Sequence, residues 1–287
     1  LKDLPYLGGV KYGHMKEPFS LEELTSSNDI MFMERSLPNA LVPGRNVGIK
    51  VQNAGFSDKL TWALGAFRES NDLDEGYQDV YHLTARLTGL PWYAEEGRKL
   101  IHLGLSYIHA FNEDDAPLRF EASPESSLVA ISFVDTGDIP ARDADFFNPE
   151  IALILGPFSL QGEYIYTRII AADGSDLDFY SYYVQSSYFI TGEHRKYKKA
   201  EAIFSAVEPL QPFNPPRGSW GALELALRYS SIDLDDEWVR GGKLEDFTAG
   251  LNWHLSKSVK LMFNYIRADL SGVGESDIFQ SRFQVIF

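Results

Sequence analysis

The sequence predicts an all-β fold, an antiparallel transmembrane β-barrel of about twelve strands, and three observations carry that prediction. The first is the stretch 276–287. There Phe279, Ser281, Phe283, Val285 and Phe287 fall on one face of a strand and Gln280, Arg282 and Gln284 on the other, and the chain stops on the aromatic. A closing barrel strand shows apolar residues to lipid, polar residues to the lumen and an aromatic to the membrane interface. The second is strand length: alternating runs of roughly eight to fourteen residues exceed the ~5–6 of soluble strands and match the ~9–11 that a tilted spanning strand needs. The third is the division of connections into tight turns and long loops, which such barrels show at their two ends. On the terminal stretch alone, the last strand of a soluble sandwich is the alternative.

Composition bounds the same answer. The 287 residues suffice for one large all-β domain or two ordinary ones. No cysteine is present, which excludes disulfide stapling. The net charge of −15, from 26 Lys plus Arg against 41 Asp plus Glu, argues against a nucleic-acid-binding surface. Mean hydropathy is −0.21, and no apolar run approaches the ~20 residues of a membrane helix. A barrel remains compatible, since only alternate residues face lipid. Aromatics make up 14% of the chain, enough for two interfacial girdles. With no initiator Met and no export signal, the sequence reads as a mature or truncated chain.

Taken in order, residues 10–16 alternate and Pro18 ends the run. Ser20, with Glu23 three residues on, has the capping-box pattern of a helix start, and residues 28–37 could add a helical turn. Residues 46–52 and the run from Leu60 through Trp62 and Leu64 flank a turn at 53–58. Tyr81, Leu83, Ala85 and Leu87 oppose Val80, His82, Thr84 and Arg86; after a turn at 89–97 containing Gly89 and Pro91, Ile101, Leu103, Leu105 and Tyr107 oppose His102, Gly104 and Ser106. A long irregular stretch spans 112–145. Residues 151–155 and 160–166 form a hairpin about Gly156-Pro157, and Tyr180, Tyr182, Val184, Tyr188 and Ile190 mark the next strand. A further irregular stretch, 193–217, carries the cluster Arg195, Lys196, Lys198 and Lys199. Leu223, Leu225, Leu227 and Tyr229, then Phe247, Ala249, Leu251, Trp253 and Leu255, then Val259, Leu261, Phe263 and Tyr265 complete the wall before the terminal strand. If Phe287 ends at the periplasmic side, the turns 53–58, 89–97, 156–159 and 256–258 share that side, with 17–43 and 112–145 outside and 193–217 the long exception.

At this point the chain resembles a family, the phosphate-selective porins O and P of bacterial outer membranes. The resemblance is carried by Lys16-Glu17-Pro18-Phe19-Ser20-Leu21-Glu22, Phe32-Met33-Glu34-Arg35, Pro43-Gly44-Arg45-Asn46, Phe133-Val134-Asp135-Thr136-Gly137, the run from Gly156 through Tyr164, and Arg228-Tyr229-Ser230. It implies a sixteen-stranded homotrimeric barrel in lipid and lipopolysaccharide, passing small anions, with its third and fifth outer loops folded inward. It implies no enzyme activity and no cofactor. On this reading, residues 1–287 are one barrel domain, 17–43 and 112–145 are those inward loops, and four N-terminal strands are missing from the sequence. A twelve-stranded barrel is the alternative.

The resemblance also nominates site residues. Lys16, Arg35 and Arg45 match the inward loop and its ends, and Arg119 alone keeps the basic character of the family's fifth loop, where Glu121 and Glu125 intrude. Phase assigns Lys50, Arg86, Arg228, Lys260 and Arg282 to the lumen, beside His82, His102, His254 and Glu224. These cations outnumber Glu163 and Glu224, so the expectation is a weakly anion-selective pore. Each cation could instead pair across the wall; for Arg35 and Arg45 the candidate partners are Glu22, Glu23 and Glu34. The six histidines show no metal-ligand spacing, and no phosphate-binding glycine loop is present. Water on the lumen face predicts that Asn252→Arg is tolerated and Leu251→Arg is not. Two other functions stay open: a plugged barrel anchoring a surface layer or partner protein, and a soluble all-β carbohydrate-binding domain or enzyme.

Overall fold

The computed structural model describes residues 1–2, 4–5, 7–70, 80–112 and 115–286; the expectation for Phe287 lies outside them. Among the described residues twelve strands follow one another in sequence order through one antiparallel sheet, and the short strand Pro117–Leu118 pairs onto it beside Ile139. They are β1 (Gly9–Lys16), β2 (Arg45–Gly55), β3 (Leu60–Arg68), β4 (Val80–Ala94), β5 (Lys99–Asn112), β6 (Ile139–Leu155), β7 (Phe158–Ala171), β8 (Asp176–Phe189), β9 (Ala222–Asp236), β10 (Val239–His254), β11 (Val259–Leu270) and β12 (Gly274–Val285). Period-two burial runs through them. On β4, Tyr81, Leu83 and Leu87 are exposed while Val80, His82, Thr84 and Arg86 are buried, and Leu225, Phe263 and Phe283 point outward in the same phase. Among the described residues no helix is long and apolar enough to cross a membrane.

The sheet is curled. Lys16 at one edge pairs with Glu23 at 2.9 Å, and Gln284 on the other edge strand donates to the Asn28 carbonyl at 3.3 Å. Residues 23 and 28 can be at most ~18 Å apart, whereas a flat sheet of twelve strands would separate its edges by about 50 Å. β1 and β12 remain the edge strands, with no hydrogen bond between them among the described residues.

Several local expectations are corrected. Gly89 and Pro91 do not make a turn: β4 passes through both, with a register shift between Gly89 and Trp92 that accommodates the missing proline N–H, and the chain reverses at residues 95–98. β6 begins at Ile139, so the long outer connection ends at residue 138, short of the expected boundary of 145. Ser20 does cap a helix, accepting from the Glu23 N–H, but the helix α1 (Leu21–Leu24) is short; residues 28–36 form turns and bends, and the next helical turn is 3-10, at Leu37–Leu41. The Gly156-Pro157 turn reverses β6 into β7 with Gly156 at φ 59, a conformation that suits glycine.

The inward face is not polar throughout. Towards the outer end it carries Ile165, Ile169, Leu177, Phe179, Ile232 and Leu244, packed in one cluster with Phe19, Leu37 and Leu41 of the first long connection and Phe120 and Val134 of the second. Apolar burial there docks both loops.

Candidate pore and its charged lining

The connection 17–44 crosses the enclosure, and carboxylates fix each end of its path. Glu17 accepts from Asn46 Nδ2 at 2.7 Å and Thr84 Oγ1 at 2.5 Å, and lies 2.7 Å from His82 Nδ1. Glu163 on β7 accepts the backbone N–H groups of Leu21 and Glu22 at 2.9 and 2.8 Å, satisfying the free donors of α1. Further on, Asn252 donates to the Met31 carbonyl at 2.8 Å, Lys260 to Asn28 at 3.0 Å and Arg282 to Met33 at 2.6 Å. The loop is tied from β2 round to β12.

The connection between β5 and β6 enters beside it. Glu125 accepts from Arg228 Nε at 2.8 Å and from the hydroxyls of Ser230 and Thr248 at 2.6 Å each, while its own N–H donates to Asp246 at 2.9 Å. Arg228 also reaches Glu22 at 3.4 Å and the Glu34 carbonyl at 3.2 Å, with its guanidinium 4.4 Å from the Phe32 ring centre. One arginine therefore joins both loops to β9. Glu22 accepts in addition from Ser36 N and Oγ at 3.0 and 2.6 Å. Burial pushes its carboxyl above the ordinary value, opposed by Arg228 and Ser36.

The third inward element is the expected exception, 193–217, whose first half rises from the other end. Lys196–Lys198 pairs with Ile203–Ser205 as a small hairpin, Tyr197 Oη lies 2.7 Å from His102 Nδ1, and Arg86 donates to the Ala202 carbonyl at 2.9 Å. Arg195 is buried, donating to Gln161 at 2.9 Å, and burial lowers its pKa. Burial drives His194 down to about 4, with Lys196 and Arg98 adding to the shift.

Three adjoining cavities follow the 17–44 loop. The outermost, of about 320 Å³, is bordered by Gly44, Glu69, His82, Arg119 and Asp138; the middle one, of about 600 Å³, by Lys16, Arg35, Arg45, Lys198, Glu23 and Glu201; the innermost, of about 240 Å³, by Lys11, Lys16, Arg45, Lys50, Arg86 and Glu201. Asp29 borders the middle cavity, its carboxyl raised by burial.

The nominated residues divide accordingly. Arg86 is held by Glu150 at 2.5 Å, Arg228 and Arg282 by the loops, with Arg282 also 2.6 Å from Glu34, and Lys260 by Asn28. Lys16 pairs with Glu23 at 2.9 Å and Arg35 with the same carboxylate at 3.0 Å, so Arg35 meets one of the acidic partners its loop offered. Arg119 pairs with Asp135 at 2.5 Å on the exposed part of the second loop, and this bond holds Asp135 below the usual carboxylate range. Lys50 makes one long contact, 3.4 Å to the Lys16 carbonyl. The Arg45 side chain has no partner among the described residues. Lys11, which the phase argument passed over, stands directly opposite Lys50 in the β1–β2 register and also has no side-chain partner among them. The exposed Tyr12 beside it was the available signal for its orientation. The structure argues against the expected tolerance of Asn252→Arg: Asn252 is buried, bonded to Met31 and, at 2.9 Å, to Glu224.

A curled antiparallel wall, apolar outside and narrowed within by three folded-in segments around a line of cavities that is basic at its inner end, defines a membrane-channel architecture. The chain belongs to the family described as phosphate-selective porin O and P, which it matches over residues 6–287, and so it is a bacterial outer-membrane β-barrel porin. It is 27% identical to Porin O of Pseudomonas aeruginosa across 97% of this chain and 70% of that protein. It is 28% identical to an uncharacterised protein of Caulobacter vibrioides across 89% of this chain and 52% of that one. These relationships make the protein a channel and not an enzyme.

Proposed function

We propose that the protein is a passive pore for small anions, phosphate or related solutes, with a weak anion preference, assembled as a homotrimer in lipopolysaccharide-containing membrane. The observation that carries the reading is the innermost cavity. Lys11 and Lys50 face each other across the ladder, and the neighbouring Arg45 has no side-chain partner among the described residues, whereas Lys16 opposite it pairs with Glu23. Like charges directly opposite are unfavourable unless an anion lies between them. Preference is weak because the other inward cations are neutralised by carboxylates or held by carbonyls, leaving a short basic stretch where the family resemblance implies a ladder. Charge at a narrow constriction sets selectivity. The relative Porin O and the family description, with its phosphate selectivity, support the choice of solute.

Planar-bilayer recordings test this. Stepwise conductance is expected, with a reversal potential on the anion side in a KCl gradient and partial reduction of current by phosphate. Cation selectivity would overturn the reading. A second reading, a plugged barrel serving as an anchor, is favoured by the apolar packing of both loops against the outer third of the wall; it predicts no stepwise current.

A further inference from the structure

The connection between β8 and β9 has two halves with opposite surroundings. Its first half enters the enclosure, as described for Arg195 and Tyr197. Residues 208–220 instead lie against the outside of the wall. The Phe213 N–H donates to the Leu255 carbonyl at 2.8 Å, and Trp253 Nε1 donates to the Trp220 carbonyl at 2.6 Å. The Phe213 ring packs against Trp253 and Trp220 at 5.5 and 6.0 Å between centroids. The Ser219 hydroxyl closes the loop onto the carbonyls of Gln211 and Pro212 at 2.9 and 2.6 Å. This ordered loop nonetheless leaves Leu210 66% and Trp220 64% exposed. Arg217 is exposed too, and its side chain has no partner among the described residues.

We infer that residues 208–220 are an interfacial membrane anchor: Leu210, Phe213 and Trp220 sit in phospholipid at the headgroup boundary of the inner leaflet, and Arg217 meets lipid phosphate. The patch continues the lipid-facing wall. On β10 the outward column runs from the Lys243–Glu245 pair, through Phe247, Ala249 and Leu251, to Trp253, which faces Leu223 of β9. Eight residues of strand from Glu245 to Trp253 cover about 27 Å, or roughly 20 Å of height at the usual tilt, against an apolar band of about 25 Å. The wall alone is therefore short on this side, and the loop supplies apolar surface where the band continues. Aromatics with a polar handle favour that depth, and an unpaired guanidinium beside them suits a phosphate-rich layer. A second copy of the chain on the same patch would have to bring an acceptor for Arg217.

The absence of native cysteine allows single nitroxide labels. Leu210→Cys, Leu251→Cys and Lys196→Cys would be labelled separately and reconstituted in vesicles of phosphatidylethanolamine and phosphatidylglycerol, and spin relaxation compared with oxygen and with a water-soluble nickel chelate. Oxygen should dominate several-fold at Leu210, as at the mid-wall Leu251, and nickel at Lys196. Nickel dominance at Leu210 would overturn the inference, and so would dipolar broadening between labels, which would mark a second copy on the patch. If Leu210→Cys fails to fold by heat-modifiable gel migration, Arg217→Cys gives the same readout at the headgroup, with oxygen and nickel comparable there and pure nickel dominance again refuting.

Discussion

Replacing Arg228 with methionine isolates the junction that holds both loops. An unbranched apolar side chain is retained, while the bonds from Nε to Glu125 at 2.8 Å and from Nη1 to Glu22 at 3.4 Å and the Glu34 carbonyl at 3.2 Å are lost, together with the guanidinium contact on Phe32. Arg228 is 1% exposed, Glu125 4% and Glu22 4%, so two carboxylates stay buried without their cation. Breaking a buried pair on one side costs about 3–5 kcal/mol, because an uncompensated charge remains. The hydroxyls of Ser230, Thr248 and Ser36 still donate to those carboxylates, which places the expectation at the lower end. Glu125→Gln in the Arg228→Met background should recover about 2 kcal/mol, the coupling expected of residues in one network. Urea unfolding of refolded protein in detergent, followed by tryptophan fluorescence and heat-modifiable migration, measures all four corners of the cycle. A loss below about 1 kcal/mol for Arg228→Met would mean the pair behaves like a solvated surface bridge, and the account of one arginine pinning two loops would fail.

The remaining predictions concern charge, lipid and pH. Lys50→Gln removes a cation worth about 1 kcal/mol to an anion ~4 Å away in water-like dielectric, so bilayer reversal potentials should show a severalfold fall in anion preference. Lys260→Gln, at a residue that borders none of the three cavities, should stay near wild type in the same recordings. Leu251→Arg should cost about 2–4 kcal/mol near the bilayer midplane, and Asn252→Arg should also destabilise, by expelling the loop bonded at Met31; unchanged urea midpoints for either would contradict the assigned faces. Burial raises the Glu22 carboxyl, so its contribution to stability is fully present below the ordinary value of 4.5 and lost as pH rises through the raised one. Wild type should therefore gain stability relative to Glu22→Gln as pH is lowered from neutral towards 4.5, and a constant difference in midpoint over that window would refute the assignment.

Strand phase was legible because a membrane wall imposes a period of two on every residue that faces lipid. Tyr81, Leu83 and Leu87, or Phe279 and Phe283, announce their direction without knowledge of any neighbour, and the tight turns at 156–157 and 255–258 follow from local backbone chemistry. Pro91 misled because a missing donor reads as a strand end, whereas a bulge absorbs it within the strand. The inward face was harder, since what it touches comes from elsewhere in the chain. Ile165 and Phe179 are inward yet apolar because Phe19, Leu41 and Phe120 arrive to cover them, and no local pattern specifies that arrival.

The same gap explains why counting lumen cations misjudges the pore. Phase assigned five strand cations inward, but Arg86 finds Glu150, 64 residues away, and Arg282 finds Met33, 249 residues away, partners fixed only once the loops have folded in. A cation held by a carboxylate contributes little field at the distance of a passing ion, since the opposite charge cancels it and salt screens the remainder over about 8 Å. The quantity that bears on permeation is therefore the unpaired residue: Lys11 and Arg45, with Lys50 held only at 3.4 Å. All three lie on β1 and β2, the pair whose hairpin is opened by the 17–44 loop. The segment that consumes the other cations thus separates the two strands that carry the free ones, and its docking decides both how narrow the path is and which charges remain to line it.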